Sequence, residues 1–136
     1  MPEQRRVVDV AGLAPANGYS HAVVSTGPTA YVAGQVAVDE DGALVGPGDV
    51  GAQTAQSLRN LGLVLGELGA GWADVVKLGW YVLDARDVQA VRDARDAVLD
   101  PALAGAPNPA STLVQVAALF RPGFLVEVDA VVALPL

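Results

Sequence analysis

Pro109-Ala110-Ser111-Thr112-Leu113-Val114-Gln115-Val116 and Leu125-Val126-Glu127-Val128-Asp129-Ala130 are two short β-rich runs separated by the turn Phe120-Arg121-Pro122-Gly123-Phe124. In the second run, strict alternation puts Glu127 and Asp129 on one face and Val126, Val128 and Ala130 on the other. Successive same-face residues are then about 7 Å apart. Two acids on one side of an otherwise apolar strand suit a general acid/base with a supporting carboxylate, because apolar neighbours and a nearby like charge both raise a carboxyl pKa. The plainer alternative is that both face water from a half-exposed strand.

The upstream chain reads as the scaffold for these runs. Arg6 to Val10 predicts a first strand, and the Gly/Pro/Asn-containing loop from Gly12 to Gly18 delivers Tyr19. Ala22 to Thr26, the Gly27-Pro28 turn and Thr29 to Ala33 predict a hairpin, with a third run from Gln35 to Val38. Gly34 interrupts the β pattern, which marks a bulge or a close approach of ligand or backbone. Asp49 is a fitting N-cap for a helix whose Val50, Thr54, Ser57, Leu58, Leu61, Leu65 and Leu68 recur at helical spacing, and Gly69 closes it. Val75 to Leu83 predicts a strand. A second helix, capped by Asp84 or Asp87, presents Val88, Val91, Ala94 and Val98 and is expected to stop near Asp100, because Pro101 follows. The order of strands, helix, strand, helix and two strands implies an α+β fold, a mixed sheet with both helices on one face. If the sheet's other face is as apolar as Val126, Val128, Ala130 and Val132 suggest, self-association is expected to cover it.

Composition narrows the function. At 136 residues the chain fits a single domain over residues 1–136, with no linker. With no cysteine, thiol nucleophiles, disulfides and thiolate metal sites are excluded, and a reducing cytoplasm is the unforced setting. The segment Met1-Pro2-Glu3-Gln4-Arg5-Arg6 resembles neither a signal peptide nor a membrane span, so a soluble protein without membrane association is expected. A net charge of −7, with one lysine and seven scattered arginines, argues against nucleic acid, whose binding depends on clustered cations.

Other candidate groups are sparse. Ser111 has no His/Asp arrangement to activate it. His21, the only histidine, is expected to be solvated or singly hydrogen-bonded rather than a metal ligand, and no metal or cofactor is called for. Gly46-Pro47-Gly48 is a turn before a helix and not a phosphate cradle. Tyr19 is either a hydrogen-bond donor to a ligand or a packed aromatic with its hydroxyl at the surface.

Taken in order, Gly18-Tyr19-Ser20, Tyr31-Val32-Ala33-Gly34-Gln35-Val36, Gln53-Thr54, Leu58-Arg59-Asn60-Leu61, Ala73-Asp74-Val75-Val76-Lys77 and Pro109-Ala110-Ser111 through Ala130 resemble the Rid family (RidA/YjgF, endoribonuclease L-PSP-like) over nearly the whole chain. The resemblance implies a chorismate-mutase-like fold, a homotrimer forming a barrel with three inter-subunit clefts, and hydrolysis of enamine and imine intermediates to ketoacids and ammonia. It implies that Glu127 positions water or moves protons, that Tyr19 is the pocket tyrosine, and that the Gly34 backbone faces the ligand. Ser111 and Thr112 fall where deaminating members carry a carboxylate-clamping arginine followed usually by serine. A guanidinium is a bidentate, permanently charged fork and serine offers one neutral hydrogen bond. That exchange weakens carboxylate recognition on the order of 10- to 1000-fold and argues against ordinary 2-imino acid deamination. Ala33 replaces a hydroxyl residue often found before Gly-Gln, so the pocket is expected to be more apolar. Arg92 falls near a position commonly asparagine, and Arg95 follows on the same face. Either arginine could supply a relocated cation, or both could be solvated among Asp93 and Asp96. Two functions remain: a metal-free imine or enamine hydrolase or tautomerase, and a non-catalytic trimer binding a metabolite or partner in the same clefts. A ribonuclease is disfavoured by the charge.

Overall fold

The computed structural model describes residues 4–135; Met1, Pro2 and Glu3 of the N-terminal segment considered above, and Leu136, lie outside the described residues. Strands β1 (Gln4–Val7) and β2 (Ala22–Ser25) form an antiparallel pair. A second, mixed sheet is built from β3 (Thr29–Val36), β4 (Val75–Val82), β5 (Ala110–Gln115) and β6 (Val126–Ala133) in the order β3-β6-β4-β5. Helices α1 (Val50–Glu67) and α2 (Val88–Leu103) complete the fold. Strand β4, α2 and β5 make a crossover unit, since β4 and β5 run parallel, while β6 lies antiparallel between β3 and β4.

Alternation in β6 holds over its full length. Val126, Val128, Ala130 and Val132 are buried, in one core with Leu58, Leu61 and Leu65 of α1 and with Val91, Leu99 and Leu103 of α2. Each fully buried leucine or valine contributes about 1.5–3 kcal/mol. The helices therefore cover the apolar face within the chain, which corrects the expectation that self-association covers it. The face left open is the one bearing Glu127 and Asp129.

The capping residues act as their chemistry suggests. The Asp49 carboxylate accepts from the Ala52 amide at 3.0 Å, and Gly69 closes α1 in the left-handed region at φ 68°. Gln53, fully buried, donates to the Gly46 and Gly123 carbonyls and accepts from the Leu125 amide, tying the start of α1 to the turn before β6. Asn60 donates to the Val36 and Val38 carbonyls, fixing α1 against the end of β3.

Several boundaries differ from expectation. The first strand is Gln4–Val7 rather than Arg6 to Val10, because Arg6 donates to the Pro107, Ala73 and Val75 carbonyls and the chain turns at Val10, where Leu13 closes a loop. The β2–β3 hairpin does not form: β2 pairs with β1 and β3 with β6, so the Gly27-Pro28 turn carries the chain between sheets. Gln35 and Val36 belong to β3, whose register shifts between Val32 and Gln35 around Gly34, the bulge foreseen there. Helix α2 passes through Pro101 and ends at Leu103, since a proline in the last turn forgoes only one amide donor; Ala104, at φ 49°, caps it through the Asp100 carbonyl. Asp84 caps the short 3₁₀ turn Ala85–Asp87 before α2, and Asp87 makes no capping bond. No helix among the described residues is long and apolar enough to cross a membrane.

Candidate functional site

The loop carrying Tyr19 is fastened to the entry of β5. Asn108 donates to the Gly18 carbonyl at 2.9 Å, the Ser20 hydroxyl donates to the Asn108 carbonyl at 2.6 Å, and the Ser20 amide donates to the Pro109 carbonyl. Tyr19 is thereby held beside Ser111, over the N-terminal half of α2. A cavity of about 300 Å³ opens there, lined by Tyr19, Ser111, Arg92 and Arg95, with Asn17 at its polar rim and Trp80, Val88, Val91 and Leu113 as its apolar wall. Its size lies at the lower end for small-ligand pockets. Tyr19 stacks edge-on against His21 with centroids 5.4 Å apart, and among the described residues its hydroxyl has no hydrogen-bond partner.

Arg92 and Arg95 both reach this cavity, but only Arg95 is sunk into the fold, at 7% exposure. The deepest row of α2 is Val91, Arg95, Leu99 and Leu103, whereas Ala94 and Val98 are half-buried, which shifts the expected apolar face by one position. Spacing of four residues from Val91 was the available signal; charge kept Arg95 out of the core reading. Arg95 Nε donates to Asp96 Oδ1 at 2.9 Å, with Nη2 2.8 Å from the same oxygen.

The other predicted residues lie on the opposite, open face of the sheet. Register pairs Glu127 with Tyr81, Asp129 with Gly79 and Gly79 with Thr112, while Ser111 pairs with Leu78 on the helix side. The Glu127 carboxylate rests directly over Gly34, where an added Cβ would collide with it. Burial, and then the neighbouring Asp129 charge, hold the Glu127 carboxyl above the ordinary glutamate range. Tyr81 donates to Asp129 Oδ2 at 2.9 Å, an interaction that pushes its phenol pKa up and occupies Asp129. Thr112 lies in a shallow depression of about 380 Å³ with Tyr81 and Asp129, and Ala33 is exposed next to Gly34. Within one chain, then, the predicted residues fall into two candidate half-sites, Tyr19, Ser111, Arg92 and Arg95 in the cavity and Glu127 against Gly34 with adjacent Ala33 on the open face, while Thr112 lies apart on β5 in the depression with Tyr81 and Asp129.

Asn17, Trp80 and Leu113 escaped the sequence reading, because nothing in their local pattern separates a cavity lining from a loop or strand residue. His21 is partly exposed, with its Nε2 sealed from solvent and without a partner among the described residues. No group of three or more His, Asp or Glu that could hold a metal ion occurs among the described residues.

Comparison with known proteins bears on the family and the fold. The family model described as Endoribonuclease L-PSP covers residues 10–134. A solved structure of the Rid family protein YyfB from Yersinia pestis superposes with a TM-score of 0.84 at 38% identity, over 96% of this chain and 98% of that one. The chain belongs to the Rid family. A RutC family protein of Synechocystis sp. is 39% identical over 123 residues, 90% of each chain. The 2-iminobutanoate/2-iminopropanoate deaminase of Capra hircus is 33% identical over 128 residues, covering 93% of this chain and 88% of that protein. The mixed sheet and paired helices are thus the Rid architecture, and a small-molecule function follows for this Rid chain.

Proposed function

We propose that this Rid protein hydrolyses or tautomerises an imine- or enamine-type small molecule in clefts completed between the subunits of a homotrimer, in a reducing cytoplasm. The observation that carries the reading is the Glu127 carboxyl, folded over the Gly34 backbone with its pKa raised, on the open face that also bears exposed Tyr31 and Val114. Glu127 is a single acid/base with no nucleophile beside it, which suits water addition to C=N. Water attacks the imine carbon while Glu127 takes the water's first proton and delivers it to the nitrogen; the carbinolamine hydroxyl proton then passes through the same carboxyl to that nitrogen as the C–N bond breaks, giving a carbonyl and ammonia. In an enamine, the same carboxyl donates its proton to the carbon terminus first. Tyr19, whose hydroxyl is uncommitted among the described residues, orients the ligand. Because Glu127 and Tyr19 occupy opposite faces of one sheet, a second chain has to bring the half-sites together.

The deaminase relatives and the Rid fold support the reading, and the net charge of −7 speaks against RNA as substrate. A second reading, a non-catalytic metabolite-binding trimer, draws support from the cavity itself, which contains Tyr19, Ser111 and Arg95 without Glu127. An activity screen against imines of amino acids and of uncharged amines separates the two. The enzyme reading expects turnover above the uncatalysed rate, with a loss of about 100-fold in Glu127→Gln. Rates equal to the uncatalysed reaction for both proteins, on every substrate, would leave the binding reading.

A further inference from the structure

Resting on the cleft reading above, we propose that Arg95 is the anion-gripping residue of the cavity and that the ligand it selects is a small monocarboxylate with a short apolar chain. A guanidinium in a helix row otherwise made of Val91, Leu99 and Leu103 is costly to desolvate, and a leucine there would serve the core better. Its retention points to a use. Asp96 engages Nε and Nη2, and among the described residues Nη1 has no acceptor, so part of the five-donor fork is left for a ligand.

The fork is also fixed in place. Gly18 sits against it at φ 75°, with the position of an added Cβ 2.9 Å from Cζ and 3.2 Å from Nη1. Gly18 in turn is pinned by the Asn108 amide. A side chain held between α2 and a fastened loop loses little entropy on binding, which favours recognition by a single group.

Charge and wall chemistry define the ligand. Among the groups of one chain, Arg92 and Arg95 set against Asp96 leave one net positive charge at the cavity, which matches a monoanion. Ser111, Asn17 and the Tyr19 hydroxyl offer neutral hydrogen bonds, and the Trp80–Leu113 side takes an apolar chain.

The test is equilibrium binding, followed by amide NMR shifts or calorimetry, of butanoate, butanamide and inorganic phosphate to the full chain. Butanoate is expected to bind at least 10-fold more tightly than butanamide and more tightly than phosphate. Arg95→Gln is expected to weaken butanoate by about 10- to 100-fold and butanamide by much less, Arg95→Lys to fall between, and Arg92→Gln to have the smaller effect. Should Arg95→Gln not fold, Arg95→Lys and Gly18→Ala, which displaces the fork while keeping its charge, are each expected to weaken butanoate. Equal binding of acid and amide, a preference for phosphate, or butanoate affinity unchanged in the Arg95 variants overturns the proposal. Turnover of Glu127→Gln is measured in parallel, so loss of the anion site and loss of the acid/base reading give different patterns.

Discussion

Replacing Gly34 with alanine separates the chemistry from the fold. The Gly34 backbone is outside the left-handed region, so alanine brings no conformational strain. An added Cβ would lie 2.6 Å from Glu127 Cδ and 3.0 Å from Cγ, and the three nearest atoms all belong to that side chain. Ordinary carbon–carbon contact needs about 3.5–4.0 Å, so the carboxyl must retreat by about 1 Å. Glu127 can make this move by leaving its preferred rotamer, at a cost of about 0.5–1.5 kcal/mol in stability. A 1 Å misplacement of a reacting group, by contrast, lowers rate on the order of 100-fold. Turnover of an imine that the activity screen shows to be a substrate, read as ammonia release, should therefore drop by about that factor, while urea unfolding registers only the roughly 0.5–1.5 kcal/mol of the rotamer change. Alanine at 34 should add almost nothing to Glu127→Gln, because both act through one carboxyl. Turnover within about twofold of wild type in Gly34→Ala would refute the placement of Glu127 at the reacting centre.

Asp129→Asn removes the second cause of the raised Glu127 pKa and leaves burial, the larger one, in place. The limb of the pH–rate profile set by Glu127 should move to lower pH and stay above the ordinary glutamate range. Because the folded state holds the Glu127 proton more tightly than the unfolded chain, stability should fall as pH rises from the ordinary value through the raised one. Glu127→Gln should then raise the melting temperature above that window and change it little below. Gln53→Leu breaks the part-buried hydrogen bonds to the Leu125 amide and to the Gly46 and Gly123 carbonyls and should cost about 2–4 kcal/mol by urea unfolding. Ser57→Ala deletes a buried hydroxyl without a partner among the described residues and should stabilise by about 0.5–2 kcal/mol; a loss of stability would show that the hydroxyl is satisfied.

The elements readable in advance were those governed by local periodicity or caps. Alternation in Val126 to Ala130, the leucine row of α1 and the Asp49 cap each depend on a few neighbouring residues, and the structure follows them. Strand partnership was less legible, because β2 joining β1 instead of β3 is decided by which edges β6 and β1 leave available. The site shows the same division. Tyr19 and Ser111, 92 positions apart, meet through the Gly18, Ser20 and Asn108 hydrogen bonds, which no spacing reveals. Arg95 was a surface residue by charge and a core residue by helical phase, and phase prevailed, with Asp96 pairing Nε and Nη2. That Glu127 and Tyr19 lie on opposite faces of the sheet followed only from the register of β4 with β5 and β6.

Subunit complementation tests most directly the claim that two chains complete each site. Glu127→Gln disables the open-face half and Arg95→Gln the cavity half, and the two variants are refolded together in equal amounts. For a trimer with one cleft per interface, random mixing leaves about a quarter of the clefts with both halves intact. The account predicts recovery of about a quarter of wild-type turnover from two nearly inactive parents. Turnover no higher than the average of the two parents after mixing would contradict it.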